Sequence, residues 1–402
     1  MNSTIGKYIA INLSIFTGIV FALNLEAQPS LDLLNQIENY NSSTCQIIFN
    51  GSYTCSGVLI NNTQNQGRSL ILTAAHCIES EEDLNSIVVI FGKRKLLKDQ
   101  AYDGLEWSSN AGASLLAFSQ ELDFALLELK SRIPVYVSPV YLGWNKMISE
   151  PTIIFSIHYP DFGDAQYSFS IAKPSLATFG GLYHSVDSGH WKVDQWTSGI
   201  TSLGSSGAPL LGSSFEIIGG LSGSTDWENY TSDYFFRFDL AYDHFGDKAS
   251  QLKAWIDPDN SGSTGPYQPT YKIKNYNYTS NLTEIVKLNN RVIITEEFSV
   301  SDNSKINGAY ITAGELSEHS GSTFTVALSQ NGSELYAEET DALELSPYSE
   351  NYIPFVTSPL VSGEFSISLN FKSTDSSAYI AIPKTSVGNL TSYFIALNTS
   401  TP

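Results

Sequence analysis

The chain has 402 residues, 42% of them hydrophobic and 12% aromatic, a composition that belongs to a folded protein with length for two to three domains. Its 41 Asp and Glu outnumber 21 Lys and Arg, giving a formal net charge of −20. Too few basic side chains remain to neutralise a phosphate backbone, so no nucleic-acid partner is expected. The acidity suits either plain solubility or attraction for cationic substrates.

Residues 1–27 read as an export signal. Lys7 supplies the positive start, Tyr8 to Leu23 is largely apolar, and the stretch closes on Ala27. Asn12, Ser14 and Thr17 interrupt the apolar run, which makes it a poor permanent anchor, and no later segment has the length of a membrane span. A secreted, soluble, monomeric chain starting near Gln28 is the expectation. Its three cysteines, Cys45, Cys55 and Cys77, lie early in that chain. Export permits disulfides, and an odd count leaves at least one thiol without an intrachain partner. There is no Cys-x-x-Cys pair, so no metal site is expected. No cofactor is expected either.

From residue 45 to 245 the chain reads as short strands between Gly, Asn and Ser turns. The clearest are "SGVLI" (56–60), "SLILTAA" (69–75), "SIVVIFG" (86–92), "DFALLEL" (123–129), "TIIFSI" (152–157) and "EIIGGLSG" (216–223). This pattern predicts an all-β barrel or sandwich. In "DKASQLKAWIDP" the period changes: Ala249, Leu252, Trp255 and Ile256 recur at helical spacing before Pro258, which predicts one closing amphipathic helix. Residues 28–256 are therefore read as one β-rich domain and 257–269, rich in Gly, Ser and Pro, as a linker. Residues 270–402 are read as a β-sandwich accessory domain. There "TFTVALS" and "EFSISLNF" alternate apolar and polar positions, and Asn331-Gly332 signals a hairpin. No catalytic grouping appears in it, and its ligand is not specified by the sequence.

Three positions in the first domain carry chemistry as a set. His76 follows an apolar strand, Asp123 opens another, and Ser206 lies in "GSSGAPLL". Each has an ordinary explanation alone: a structural histidine, a strand-end cap, a flexible turn. Together, in the order His, Asp, Ser, they are what a serine needs to become a nucleophile: a base, and an acid that orients the base. The Gly-x-Ser-Gly turn adds the amides of Gly204 and Ser206, which can converge on one oxygen as an oxyanion hole.

These stretches, "CSGVLINNTQNQGRSLILTAAHC", "DFALLEL" and "GSSGAPLL", resemble the chymotrypsin-like (trypsin superfamily) serine endopeptidases. Through "LINNT", "SIHYP" (156–160), "SDYFFRF" and "LKAWIDP" the nearer likeness is to the bacterial lysyl endopeptidases. The resemblance covers roughly residues 45 to 260. It implies a two-barrel fold and hydrolysis of protein or peptide substrates through an acyl-enzyme. It makes His76 the general base, Asp123 its orienter and Ser206 the nucleophile, with the Gly204 and Ser206 amides as oxyanion hole. It also implies a disulfide between Cys55 and Cys77. The trypsin-like pocket acid, six residues before the serine, is here Ile200. The lysyl enzymes resembled carry their pocket carboxylate later, which makes Asp233 the partner of a P1 lysine, the alternative being an ordinary loop aspartate. The edge "LSGS" (221–224), with Ser222 and Gly223, would bond the substrate backbone.

Two departures stand out. Ser222 occupies a position where the family has histidine. Ser205 precedes the nucleophile and cannot make the carboxylate–amine pair of the chymotrypsin zymogen switch, so any processing is expected to be simple removal of an N-terminal piece. The alternatives to a lysyl endopeptidase are an endopeptidase with another P1 preference, since Ile200 allows an apolar pocket, and an inactive protease-like binding or adhesion protein.

Overall fold

Short strands rich in Val, Ile, Leu and Phe close here into curled antiparallel sheets. In the computed structural model the described residues are 37 and 40–399, apart from 65–66, 93–105, 134–136, 138, 148–150, 181–185, 226–231, 266–269, 274–281, 318–320, 348 and 386–393. The expected export signal lies outside them. Among the described residues no helix is long and apolar enough to cross a membrane.

The first sheet contains β1 (Thr44–Phe49), β2 (Tyr53–Leu59), β3 (Leu70–Thr73), β4 (Val88–Phe91), β5 (Trp107–Ser109), β6 (Ala113–Ser119) and β7 (Phe124–Leu129), in the order β5-β4-β1-β2-β3-β7-β6. It curls over Ile47, Leu59, Ile71, Val89, Leu127 and Tyr141. After β8 (Val140–Tyr141), the second sheet contains β9 (Ile154–His158), β10 (Gln166–Ser170), β11 (Ser175–Ala177), β12 (His190–Val193), β13 (Pro209–Leu211), β14 (Ile217–Ser224) and β15 (Asp233–Arg237), ordered β10-β9-β13-β14-β15-β12-β11. Ile154, Trp191, Leu210, Leu221 and Phe235 fill it. A third cluster, with Val58, Leu72 and Leu126 from one sheet and Phe155, Ile157 and Phe236 from the other, joins the two faces. The expected all-β, two-barrel architecture is therefore present, and the junction between the barrels is where strand-end residues of both meet.

The single closing helix is not formed as predicted. A 3₁₀ turn at Lys248–Ser250 and a four-residue helix at Lys253–Ile256 stand in its place. The Asp247 carboxylate accepts from the Ala249 and Ser250 amides, fixing a tight turn, and the Leu252 amide leaves the helical pattern to donate to the Ala241 carbonyl. Ala241 lies in a helix the sequence pattern does not reveal, Phe238–Asp243.

Beyond residue 270 come β16 (Thr270–Ile273), β17 (Leu282–Leu288), β18 (Ile293–Ala313), β19 (Thr323–Gln330), β20 (Ser333–Asp341), β21 (Ser349–Pro354), β22 (Leu360–Lys372), β23 (Ile380–Thr385) and β24 (Phe394–Thr399). Phe324, Val326 and Leu328 of β19 sit directly opposite Phe371, Leu369 and Ile367 of β22, and all are buried. Asn331 and Gly332 both take positive φ, 52° and 76°, as a tight two-residue hairpin turn requires. The β16 strand pairs with both β24 and β8, which links this region to the first.

Cys55 and Cys77 are joined by a disulfide that closes a 22-residue separation around β3. Loop-closure entropy for that length is worth about 3 kcal/mol. Replacing both cysteines by serine should therefore lower the denaturant-measured stability by about 3 kcal/mol, and an unchanged midpoint would contradict this. Cys45 is free but completely buried against Gly57 and Ile47, and burial pushes its thiol pKa well up. It is an inert core residue, with no surface to offer another chain.

Candidate active site

His76 and Asp123 meet because β3 and β7 are neighbours, with Thr73 opposite Ala125. The 3₁₀ turn Ala75–Cys77 then carries His76 out of the sheet, and the disulfide fixes its last residue. Asp123 sits at the mouth of β7 with φ +66°, a left-handed conformation that Asp tolerates better than most side chains. That bend sends the carboxylate back under the histidine. Asp123 Oδ1 accepts the backbone N–H of His76 at 2.9 Å, while Oδ2 and Oδ1 lie 3.0 and 3.1 Å from the ring Nδ1. The Asp123 side chain is 1% exposed and that of His76 31%, so the acid is enclosed and the base reaches solvent. With Nδ1 tied to the carboxylate, the proton sits on Nδ1 and Nε2 is the basic nitrogen. Burial works against a charged ring, but the Asp123 charge and hydrogen bond outweigh it, and the His76 pKa is raised.

The turn before β13 comes from the other barrel and is clamped to the first. The Ser56 amide donates to the Ser206 carbonyl at 2.7 Å. Ser56 Oγ donates to the Gly204 carbonyl at 3.0 Å and accepts from the Tyr159 amide at 2.9 Å. Gly204 and Gly207 both take positive φ, 89° and 81°. A Cβ on Gly207 would lie 2.2 Å from Thr73 Oγ1 and 2.8 Å from the Ala74 amide, two residues before His76. Only glycine permits that approach. It packs the turn that carries Ser206 against Thr73 and Ala74, the residues that lead into His76, although Ser206 Oγ and the ring are not hydrogen-bonded to each other. Such contacts are commonly loose before substrate arrives. Three amides of the turn are taken: Ser202 donates to Ser205 Oγ, Ser205 to Ser202 O and Gly207 to Leu221 O. The Gly204 and Ser206 amides make no hydrogen bond among the described residues.

Asp233 opens β15, 1% exposed. Its Oδ2 accepts from Trp196 Nε1 at 2.6 Å and from Thr201 Oγ1 at 2.8 Å, whereas Oδ1 is buried with no partner among the described residues. Burial raises the Asp233 pKa against the lowering effect of those two hydrogen bonds. Asp233 is thus no surface residue. Ile200 is 49% exposed, and it is Thr201 next to it that reaches the carboxylate. Opposite Asp233 across the sheet lies Ser224. Ser222 bulges out of register between Leu221 and Gly223, and its hydroxyl lies 3.2 Å from Nε2 of the buried His190. Its side chain therefore faces inward, which leaves only its backbone for a ligand. The β13 pairing of β14 ends at Leu221, so among the described residues the 222–224 edge continues without a strand on that side. The thiols grouped with His76, Cys55 and Cys77, are consumed in the disulfide and offer no thiolate to a metal.

Two β-barrels with an imidazole–carboxylate pair on one and a Gly-x-Ser-Gly turn on the other define the trypsin-like serine protease class. Residues 26–236, just over half of the chain, match the family described as the C-terminal domain of lysyl endopeptidase, and the chain belongs to that family. A lysyl endopeptidase of Pseudomonas aeruginosa is 28% identical over 227 residues, which take in 51% of this chain and 46% of the relative. The chain thus spans less than half the length of that relative. Among solved structures, the active form of the Rv3671c protease from M. tuberculosis is similar at 14% identity with a TM-score of 0.39, over 57% of this chain and 92% of that one. A serine endoprotease from Yersinia pestis follows at 16% identity and a TM-score of 0.36, over 53% and 65%.

Proposed function

We propose that the protein is a secreted serine endopeptidase that cuts on the carboxyl side of lysine. The observation that carries the reading is the Asp123–His76 pair, its acid enclosed and its base open to solvent, beside a turn packed on Thr73 and Ala74 whose Gly204 and Ser206 amides make no hydrogen bond among the described residues. In this mechanism His76 Nε2 takes the proton of Ser206 as its Oγ attacks the scissile carbonyl. The developing oxyanion accepts from the Gly204 and Ser206 amides, and His76 passes the proton to the leaving amine. Water, activated in the same way, then releases the acyl group. Asp123 stays ionised and holds the imidazole in the productive tautomer. The lysine side chain enters the second barrel, where Asp233 Oδ1 receives its ammonium, while Ser222 and Gly223 bond the substrate backbone. Removal of residues 1–27 and export suit the Cys55–Cys77 disulfide, which persists in oxidising compartments.

A fluorophosphonate tests the reading directly. It should label Ser206 in the native protein and fail to label His76→Ala; labelling that survives the histidine change would refute the mechanism. The pH dependence has a definite sign. A base acts only when neutral, and the Asp123 charge and hydrogen bond raise the His76 pKa above the ordinary imidazole value of about 6.5. Labelling should therefore rise with pH along a limb whose midpoint lies above 6.5, and a midpoint below it would contradict the Asp123–His76 pairing.

A further inference from the structure

Behind the candidate nucleophile lies a second histidine that the mechanism does not use. His158 ends β9 and is completely buried, as are Ser205 and Ser168 on either side of it. Its Nδ1 lies 2.9 Å from Ser205 Oγ and its Nε2 3.1 Å from Ser168 Oγ. The proton positions follow from the neighbours. Ser205 Oγ already accepts the Ser202 amide at 3.1 Å, so its own hydrogen is free to go to Nδ1. Nε2 then carries the ring proton and donates to Ser168. Burial pulls the His158 pKa down to about 4, which keeps the ring neutral and Nδ1 an acceptor near neutral pH.

This chain of bonds reaches the turn at one residue. Ser205 lies between Gly204 and Ser206, whose amides make no hydrogen bond among the described residues. The rest of the turn is framed from the same segment: the Asp161 amide donates to the Leu203 carbonyl at 2.8 Å, and a Cβ on Gly204 would lie 2.9 Å from the Asp161 amide and the Tyr159 carbonyl. On the approach to the turn, the Thr197 and Ser198 amides both donate to the Phe169 carbonyl of β10. The residue before the nucleophile, where the chymotrypsin-like zymogen switch uses a carboxylate, is thus held by a neutral hydroxyl–imidazole–hydroxyl chain belonging to the barrel itself.

We propose that His158 and Ser205 are positioning residues that lock the oxyanion turn in its active form, with Ser168 orienting the imidazole, so that this turn needs no newly cut N-terminus to assemble. The inference rests on the serine-protease reading above. Loss of either partner leaves the other as a buried, unsatisfied polar group, and the turn relieves that by shifting the Gly204 and Ser206 amides.

The test uses the full chain, a lysyl peptide amide as substrate and two inhibitors: a peptide aldehyde ending in lysine, which must form an oxyanion, and a simple alkylammonium, which fills only the Asp233 pocket. In Ser205→Ala and His158→Ala, kcat should fall about 10- to 100-fold and aldehyde affinity with it, while KM and alkylammonium affinity stay within about twofold. The double variant should be no worse than the poorer single one, because both break one unit. His158→Asn, whose Oδ1 can replace Nδ1 as acceptor, should recover most of the rate. Ser205→Ala removes one buried oxygen and keeps the test available where His158→Ala does not fold. Wild-type kcat in Ser205→Ala, an effect confined to KM, or multiplying single effects would overturn the latch while wild-type labelling of Ser206 stands. Wild-type protein that neither cleaves nor labels would overturn the protease reading and the latch with it.

Discussion

Ser206→Ala should lower kcat by about 10⁶-fold, and His76→Ala, or the two together, by no more than that. The expectation follows from how the groups divide one task. Ser206 Oγ is inert without a base, and His76 has nothing to deprotonate without Ser206, so removing either removes the covalent route. What remains is whatever the Gly204 and Ser206 amides still give to water attacking a bound substrate. Asp123→Asn should lose less, about 10⁴-fold, because the ring stays in place and takes the wrong tautomer. The 2.9 Å bond from the His76 amide to Asp123 Oδ1 survives in principle on an asparagine oxygen, which is why tautomer and not placement should dominate. Steady-state kcat on a lysyl ester measures all four proteins. Effects that multiply between Ser206 and His76 would contradict a shared mechanism.

Asp233→Asn should lower kcat/KM for lysyl substrates by about 10²- to 10³-fold while acylation by small uncharged esters continues. Asp233 is poised in an uncomfortable state: one oxygen is satisfied by Trp196 and Thr201, and the other is buried with no partner among the described residues. On the proposed reading a P1 ammonium would supply both a donor and a charge to that oxygen, and an asparagine would satisfy neither requirement fully. The competing idea of an apolar pocket rests on Ile200, whose side chain is half exposed while its neighbour Thr201 turns inward to Asp233. If the variant keeps its lysyl rate, or if the wild type prefers a leucyl or phenylalanyl ester, the pocket assignment fails.

The parts legible in the sequence were those written locally. "LILTAAHC", "DFALLEL" and "GSSGAPLL" each carry a strand and the residue at its end, and the strands lie where their apolar runs are. Partners far along the chain were not legible. His158 sits in an apolar strand and reads as a core residue; nothing in "SIHYP" points to Ser205, 47 residues on. Likewise Trp196 and Thr201 look like loop residues until β15 brings Asp233 between them, 37 and 32 residues away. Ser222 shows the reverse case. Its backbone edge was legible, but the bulge that turns its hydroxyl to His190 depends on register, which periodicity does not encode. The closing helix was misread because helical spacing of Ala249, Leu252, Trp255 and Ile256 cannot reveal that Asp247 caps a tighter turn and that Leu252 bonds sideways to Ala241. Tertiary context overrode the local period there.

The central claim is that Ser206 cuts peptide bonds after lysine, selected by Asp233. A limit digest of one defined, lysine- and arginine-containing protein, with every cut site read by mass spectrometry and Ser206→Ala run alongside, tests it most directly. The account predicts new C-termini at lysine, almost none at arginine or apolar residues, and an intact protein with the alanine variant. Cuts after other residues, or cuts that persist without Ser206, would contradict it.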